Sequence, residues 1–325
     1  MSRVDCVVAG VGGYLPQSVV TNEELSSRVE TSDEWIRSRS GIGQRHFAAD
    51  GESTSDIATR AAREALEHAG LSAADIDCII VATVTPDRTF PSTAVLVQRA
   101  LGAPAGPAFD VSAACSGFIC GLSTACGLLR GGQARRALVI GAEKLSCFLD
   151  WSDRSTCVLF GDGGGAVILE AKQVDDDAPE TGIIGSFISS NGAYADHLYA
   201  DGGPSTTNTV GRVRMNGREV FRHAVEEISN AVVNVLDICE TPVADVDWFV
   251  PHQANIRIIE SCAKRLGLDL EDVIVTIDRH ANTSSASIPL ALNDAVKSGK
   301  IKRGELLVFA ALGGGLAWGS ALVRY

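Results

Sequence analysis

Short apolar runs alternate with longer amphipathic stretches along most of the chain. Cys78–Val81, Arg136–Gly141, Trp248–Val250 and Glu305–Ala311 are too brief for helices and largely apolar on both faces, the pattern of strands buried in a layered sheet. Between them lie stretches with helical spacing. Two of these end on a glycine, Arg99-Ala100-Leu101-Gly102 and Lys264-Arg265-Leu266-Gly267, as helices closed by a left-handed residue do. Such alternation predicts an α/β fold. The most apolar stretch, Cys115–Leu129, is shorter than the ~18 residues of a membrane span and carries Ser, Thr and Gly, so it reads as a buried helix.

The order of elements repeats. Ala74-Asp75-Ile76-Asp77 recurs as Ala244-Asp245-Val246-Asp247, each leading into an apolar strand. A glycine-closed helix follows in both copies, and then a strand, a sharp turn and a helix of small residues, Phe109–Leu129 and Val273–Val296. A basic loop, another apolar strand and a glycine-rich strand complete each copy, with Gly163–Leu169 matching Gly319–Val323. The chain therefore divides into two pseudo-equivalent halves, near 1–172 and 173–325, packed as layered α/β units. With no Pro/Ser-rich linker between them, the halves are expected to share a core. Two polar insertions, Val20–Ser55 and Asn191–Arg212, are long for connections and are candidate binding elements.

Composition narrows the function. With 28 Lys plus Arg against 40 Asp plus Glu, the 325-residue chain carries a formal charge of -12, which repels a phosphate backbone and excludes nucleic acid as a general partner. An acidic partner must find a local basic patch. The nine cysteines include no C-x-x-C pair, which predicts a reducing compartment with neither disulfide framework nor metal site. The start of the chain lacks the apolar core of a signal peptide, so a cytoplasmic protein with no membrane association is expected.

Candidate chemistry falls on the repeat. An offset of 167 at the strand-turn-helix element pairs Cys115 with Asn282. Ala113-Ala114-Cys115-Ser116-Gly117 puts a thiol at a turn opening a helix, where small neighbours admit a substrate and the helix start favours the thiolate. Pro251-His252 ends the duplicated strand and places an imidazole at a sheet's carboxyl edge, where crevices form. His280, on the approach to Asn282, is read as structural. Gly313-Gly314-Gly315 offers amides for an oxyanion hole. Cys, His and Asn together allow covalent acyl transfer, with His252 and Asn282 both donating to an enolate. Spacing alone leaves a Cys–His hydrolase open.

On its motifs the chain closely resembles the β-ketoacyl-acyl-carrier-protein synthase III family, over essentially its whole length. The resemblance is carried by Ser32-Asp33-Glu34-Trp35-Ile36, Arg39-Ser40-Gly41-Ile42, Ala113–Phe118, Phe160-Gly161-Asp162-Gly163, Pro251-His252-Gln253-Ala254-Asn255, Asn282-Thr283-Ser284 and Gly313–Ala321. It implies a duplicated thiolase-like fold, layered α-β-α-β-α, and a homodimer. The implied reaction is the initiating condensation of type II fatty acid synthesis. Acyl-CoA, a substrate rather than a cofactor, acylates Cys115, and malonyl-acyl-carrier protein then loses CO2 and attacks. The implied oxyanion hole is the N–H of Cys115 and of Gly314. Trp35 and Arg154 would clamp the CoA adenine, with Thr31 and Arg39 beside it and Asn216 and Asn255 on the pantetheine arm. Carrier protein would meet Gln253, Ala254, Asn255, Ile256 and Arg257. Lys264 and Arg265 fall on the same helical face as Arg257, at i+7 and i+8. Phe90 would lie at the acyl pocket across the dimer interface.

Departures are few. Ala281 and Gly164 stand where the family often has Gly and Ala, and Gly43 replaces a basic residue of some members, which weakens an expected contact with CoA phosphate. The competing readings are a related Cys-His-Asn enzyme of secondary metabolism with another starter or acceptor, and a non-catalytic acyl-CoA or carrier-protein binding module.

Overall fold

The computed structural model describes residues 2–325. Its first large sheet contains β1 (Ser2–Tyr14), β2 (Cys78–Ala82), β3 (Ala108–Val111), β4 (Arg136–Glu143) and β5 (Gly163–Asp175), in the order β1-β5-β4-β2-β3. The second contains β6 (Gly182–Ser190), β7 (Trp248–Pro251), β8 (Leu306–Gly313) and β9 (Ala317–Arg324), in the order β6-β9-β8-β7. The pairing repeats as well. β2 runs parallel to β4, and β7 parallel to β8, whereas β5 and β9 are each antiparallel to both neighbours.

Six helices cover these sheets: α1 (Thr54–Ala69), α2 (Thr93–Leu101), α3 (Gly117–Arg130), α4 (Gly217–Ile238), α5 (Ile256–Leu266) and α6 (Ser287–Lys297). Apolar residues of α1 and α2 pack on the outer face of the first sheet, and those of α4 and α5 on the outer face of the second. Between the sheets lie α3 and α6, whose Phe118, Ile119, Leu122, Ile288 and Leu292 meet Val139 and Val167 from one side and Leu307 and Phe309 from the other. The result is the α-β-α-β-α layering expected of the duplicated fold. No helix among the described residues is long and apolar enough to cross a membrane.

Local chemistry explains the repeated motif. The Asp77 carboxylate accepts the N–H of Arg136 at 3.0 Å, while the Asp77 N–H donates to the Arg136 carbonyl at 3.2 Å. Asp247 does the same with Leu306, at 2.7 and 2.9 Å. Each aspartate thus clamps the start of its parallel neighbour and fixes strand register. The glycine stops also hold, since Gly102 and Gly267 close α2 and α5 with φ of 70° and 73°. Only a residue without Cβ adopts that angle without strain.

Two expectations are corrected. The strand expected at Val273 shrinks to one bridge with Phe249. The backbone there is satisfied by the Gln253 carboxamide instead, which accepts from the N–H groups of Thr276 and Ile277 and donates to the Ile274 carbonyl. The repeat offset at the turn is 170 rather than 167. Ala114 and Ser284 share a positive φ of 46° and 51°, and the turns Ala114–Ser116 and Ser284–Ala286 open α3 and α6 alike. Cys115 is therefore matched by Ser285, and Asn282 lies just before the matching turn.

The two insertions fold over one end of the sheets. Val20–Ser55 forms a ribbon of Ser18–Thr21 and Gln44–Phe47 with the helices Asn22–Ser26 and Asp33–Ser40. It packs against Leu145, Phe148, Leu149, Val213 and Ile277. Fully buried Arg45 ties it down, donating to the carbonyls of Val20 and Val158 and to Asn22 Oδ1 at 3.2, 2.9 and 2.7 Å. Burial lowers its pKa to about 10, which still leaves the guanidinium charged at neutral pH.

Candidate active site

The carboxyl edges of β2 and β7, the turn before α3 and the second insertion, Asn191–Arg212, enclose a cavity of about 1260 Å³. Cys115, His252, Asn282 and Gly314 all line it. They arrive from four places: the turn opening α3, the residue after β7, the segment before the turn that opens α6, and the loop between β8 and β9. Deeper walls are apolar, with Phe148, Leu159, Leu198, Val213, Phe221 and Leu312. His280, read as structural, is buried and is not among the lining residues.

Cys115 is 6% exposed. Burial pushes its thiol up to about 12, opposed by the Ser284 hydroxyl. The thiolate expected from the helix start is therefore outweighed by desolvation, and the resting sulfur carries its proton. Gly313 explains how the β8 end approaches it, because a Cβ there would fall 2.6 Å from the Cys115 nitrogen. His252 is 2% exposed, and burial lowers its pKa to about 3, so the imidazole is neutral. Its Nδ1 lies 2.6 Å from Ser287 Oγ. That oxygen also accepts the Gln253 N–H at 3.3 Å; with the hydroxyl hydrogen directed to Nδ1, the imidazole's own proton sits on Nε2. Asn282 Oδ1 accepts the Ser284 N–H at 2.8 Å, which fixes the carboxamide and leaves its NH2 group as the available donor.

Sequence reasoning missed the supports. Ser287 orients His252, and Ser284 contacts Cys115. Glu143, at the end of β4, is fully buried and accepts from Thr83 Oγ1, the Val84 N–H, Thr85 Oγ1 and Ser285 Oγ at 2.9–3.1 Å. It ties the turn that opens α6 to the loop after β2, and burial raises its pKa to about 7. A charged residue closing an apolar strand was the one available signal.

The outlying residues divide. Arg154 lies over the Trp35 ring, 5.1 Å from its centroid, and donates to the Glu30 carbonyl at 3.0 Å. This separation leaves no room for a third plane between them, which would need about 3.5 Å on each side. Thr31 Oγ1 is buried without a hydrogen-bond partner, and Arg39 is exposed. Asn216 and Asn255 serve as N-caps of α4 and α5; Asn255 also lines the cavity, and its Nδ2 donates one hydrogen to the Arg39 carbonyl at 2.9 Å. Gln253 is corrected from a docking residue to a buried brace, since it is wholly inaccessible and its side chain bonds only to backbone of its own chain. Ala254 lines the cavity, and half-buried Ile256 would meet a Cβ at Gly41 at 2.7 Å. Arg257, Lys264 and Arg265 are exposed along α5, opposite its buried Ile258, Ile259, Cys262 and Leu266. Phe90 is 83% exposed and lies outside this chain's cavity, although the preceding Thr83–Thr89 line it.

Known proteins share this architecture. Residues 109–192 match the family described as 3-Oxoacyl-[acyl-carrier-protein (ACP)] synthase III, and residues 236–325 match its C-terminal part. The chain is 56% identical to a β-ketoacyl-[acyl-carrier-protein] synthase III of Erythrobacter litoralis, over 99% of this chain and 100% of that one. It is likewise 56% identical to the protein of that name from Paramagnetospirillum magneticum, over 98% of both. The crystal structure of 3-oxoacyl-[acyl-carrier-protein] synthase III from Aquifex aeolicus superposes with a TM-score of 0.92 at 46% identity, covering 98% of this chain and 100% of that one. Identity of this extent over whole chains, together with the shared layering, makes this chain a member of the 3-oxoacyl-[acyl-carrier-protein] synthase III family of thiolase-fold condensing acyltransferases.

Proposed function

We propose that this protein joins a short acyl group from acyl-CoA to malonyl-acyl-carrier protein, in two half-reactions at Cys115. In the first, Cys115 Sγ attacks the thioester carbonyl. The new Sγ–C bond replaces the C–S bond to CoA, which leaves as the thiol, and the N–H groups of Cys115 and Gly314 hold the oxyanion. In the second, the malonyl thioester loses CO2, and the electron pair of the broken C–C bond becomes an enolate. His252 Nε2–H and the Asn282 NH2 group donate to its oxygen. The carbanion attacks the acyl-Cys115 carbonyl and expels Cys115 as the thiolate, which takes up a proton from solvent, giving a 3-oxoacyl-carrier protein.

The convergence of Cys115, His252, Asn282 and Gly314 on one cavity carries this reading. A neutral imidazole with its proton on Nε2 suits a hydrogen-bond donor to an enolate. Trp35 and Arg154 are proposed to part and take the adenine, with Thr31 and Arg39 beside it and Asn216 on the pantetheine arm. Arg257, Lys264 and Arg265 are the proposed landing face for an acidic carrier protein. Exposed Phe90 favours a homodimer in which it reaches the neighbouring cavity. The matching strand order supports a division near 1–172 and 173–325, and nine free cysteines favour a cytoplasmic setting.

The test is mass spectrometry after incubation with straight and branched short acyl-CoAs, followed by malonyl-carrier protein. A single acyl adduct on Cys115, absent from Cys115→Ser and discharged with release of CO2, is expected. Acylation without discharge by malonyl-carrier protein would move the protein to the Cys-His-Asn enzymes of secondary metabolism. Binding without any adduct would leave a non-catalytic module.

A further inference from the structure

Outside the reacting residues, three side chains of metal-ligating type converge. His197 ends the turn Gly192–His197, and Glu219 and His223 stand at i and i+4 on α4. One donor atom from each lies within 4.8 Å of the other two. The rings are held by stacking, with Tyr194 4.1 Å from His223 and 5.6 Å from His197. The sequence reading found no metal motif because His197 is distant in the chain from the helical pair.

A cation already occupies part of this cluster. Arg222 Nη2 lies 2.9 Å from His223 Nε2 and 2.8 Å from Glu219 Oε2. A guanidinium only donates, so Nε2 presents its lone pair and His223 carries its hydrogen on Nδ1. That Nδ1 is buried and has no partner, and His223 as a whole is 3% exposed. The buried imidazole is therefore unsatisfied on one side and turned towards a positive charge on the other. Arg222 reaches in from solvent, its side chain 58% exposed, and can swing out.

We propose that His197, Glu219 and His223 form a binding site for a late first-row divalent metal ion, with Zn²⁺ the best chemical match and Arg222 its internal competitor. Two imidazoles and one carboxylate suit zinc with a fourth position left to water, whereas Mg²⁺ and Ca²⁺ require oxygen ligands. Donors around tetrahedral zinc sit roughly 3.3 Å apart. Binding therefore draws the turn Gly192–His197 towards α4. The turn continues into Leu198, Tyr199 and Ala200, which line the cavity as Val220 and Phe221 of α4 do, so an ion here fastens two lining segments together.

The test is calorimetric titration of the whole protein with Zn²⁺ in a Cys115→Ser/Cys147→Ser background, since thiolates also take zinc. One ion per chain is expected. His197→Ala and Glu219→Gln should weaken binding by about 100-fold or more, beyond the usual loss of an outer partner. Arg222→Ala should tighten it by about tenfold, because a competing charge is gone. Circular dichroism shows that each variant is folded. Binding unchanged in His197→Ala and Glu219→Gln places the ion elsewhere and overturns the proposal. So does absence of binding in folded Arg222→Ala protein.

Discussion

Glu143 gives a test of the buried architecture that needs no substrate. Its carboxyl is sealed between the loop after β2 and the turn that opens α6, and burial raises its pKa from 4.5 to about 7. Below the unfolded value both states hold the proton and the group contributes no pH-dependent penalty. As pH rises, the unfolded chain ionises freely while the folded one resists, so folding stability falls until the folded carboxyl also titrates. Linkage puts the total loss at about 3 kcal/mol, of which about 2 kcal/mol falls between pH 5 and pH 7. Glu143→Gln is an uncharged isostere that cannot contribute this change. Its amide faces hydroxyl donors, so it starts less stable, but only the difference between the two pH values matters. Urea unfolding of both proteins at about pH 5 and pH 7 cancels every other titrating group. The wild type should lose about 2 kcal/mol more than Glu143→Gln over that interval. An equal change in both proteins would refute the idea that burial dominates over the four donors.

Ser287→Ala removes the hydroxyl that fixes the His252 tautomer at 2.6 Å. The decarboxylative half-reaction should slow by about 10–100-fold while acyl transfer to Cys115 persists, as separate single-turnover measurements will show. Gly141→Ala would put a Cβ 2.2 Å from the Ser285 carbonyl oxygen, which is backbone and cannot yield. A loss of about 3 kcal/mol is expected in denaturant unfolding, and a loss below about 1 kcal/mol would show that the turns are looser than described. Trp35→Ala should raise KM for acyl-CoA by about tenfold with kcat unchanged, since stacking on the adenine is uniform binding. Lys264→Glu with Arg265→Glu should raise KM for malonyl-carrier protein at low salt and leave the first half-reaction alone, with the difference vanishing as salt is added.

What could be read from the residues was whatever a local rule enforces. Asp77 and Asp247 recur because each clamps a neighbouring strand, and Gly102 and Gly267 mark helix ends because the left-handed angle demands them. Cys115, His252 and Asn282 stood out because reactive types sit there among small residues, and the structure brings all three to one cavity. The failures share a cause, since each needed a contact between distant segments. Gln253 looks polar and available but is spent on the backbone of residues 274–277. The offset of 167 put Asn282 opposite Cys115, whereas backbone angles put Ser285 there. His197 meets Glu219 and His223 only after the insertion folds back over α4.

The protonated state of Cys115 bears on how long the enzyme lasts in a cell. Peroxides and electrophiles react with thiolates, and the rate falls with the thiolate fraction. A sulfur held near pKa 12 and 6% exposed offers them almost nothing. Cys147, the exposed cysteine, is also pushed up, to about 11. The proposed nucleophile is thus shielded from passing oxidants by the same desolvation that withholds its charge.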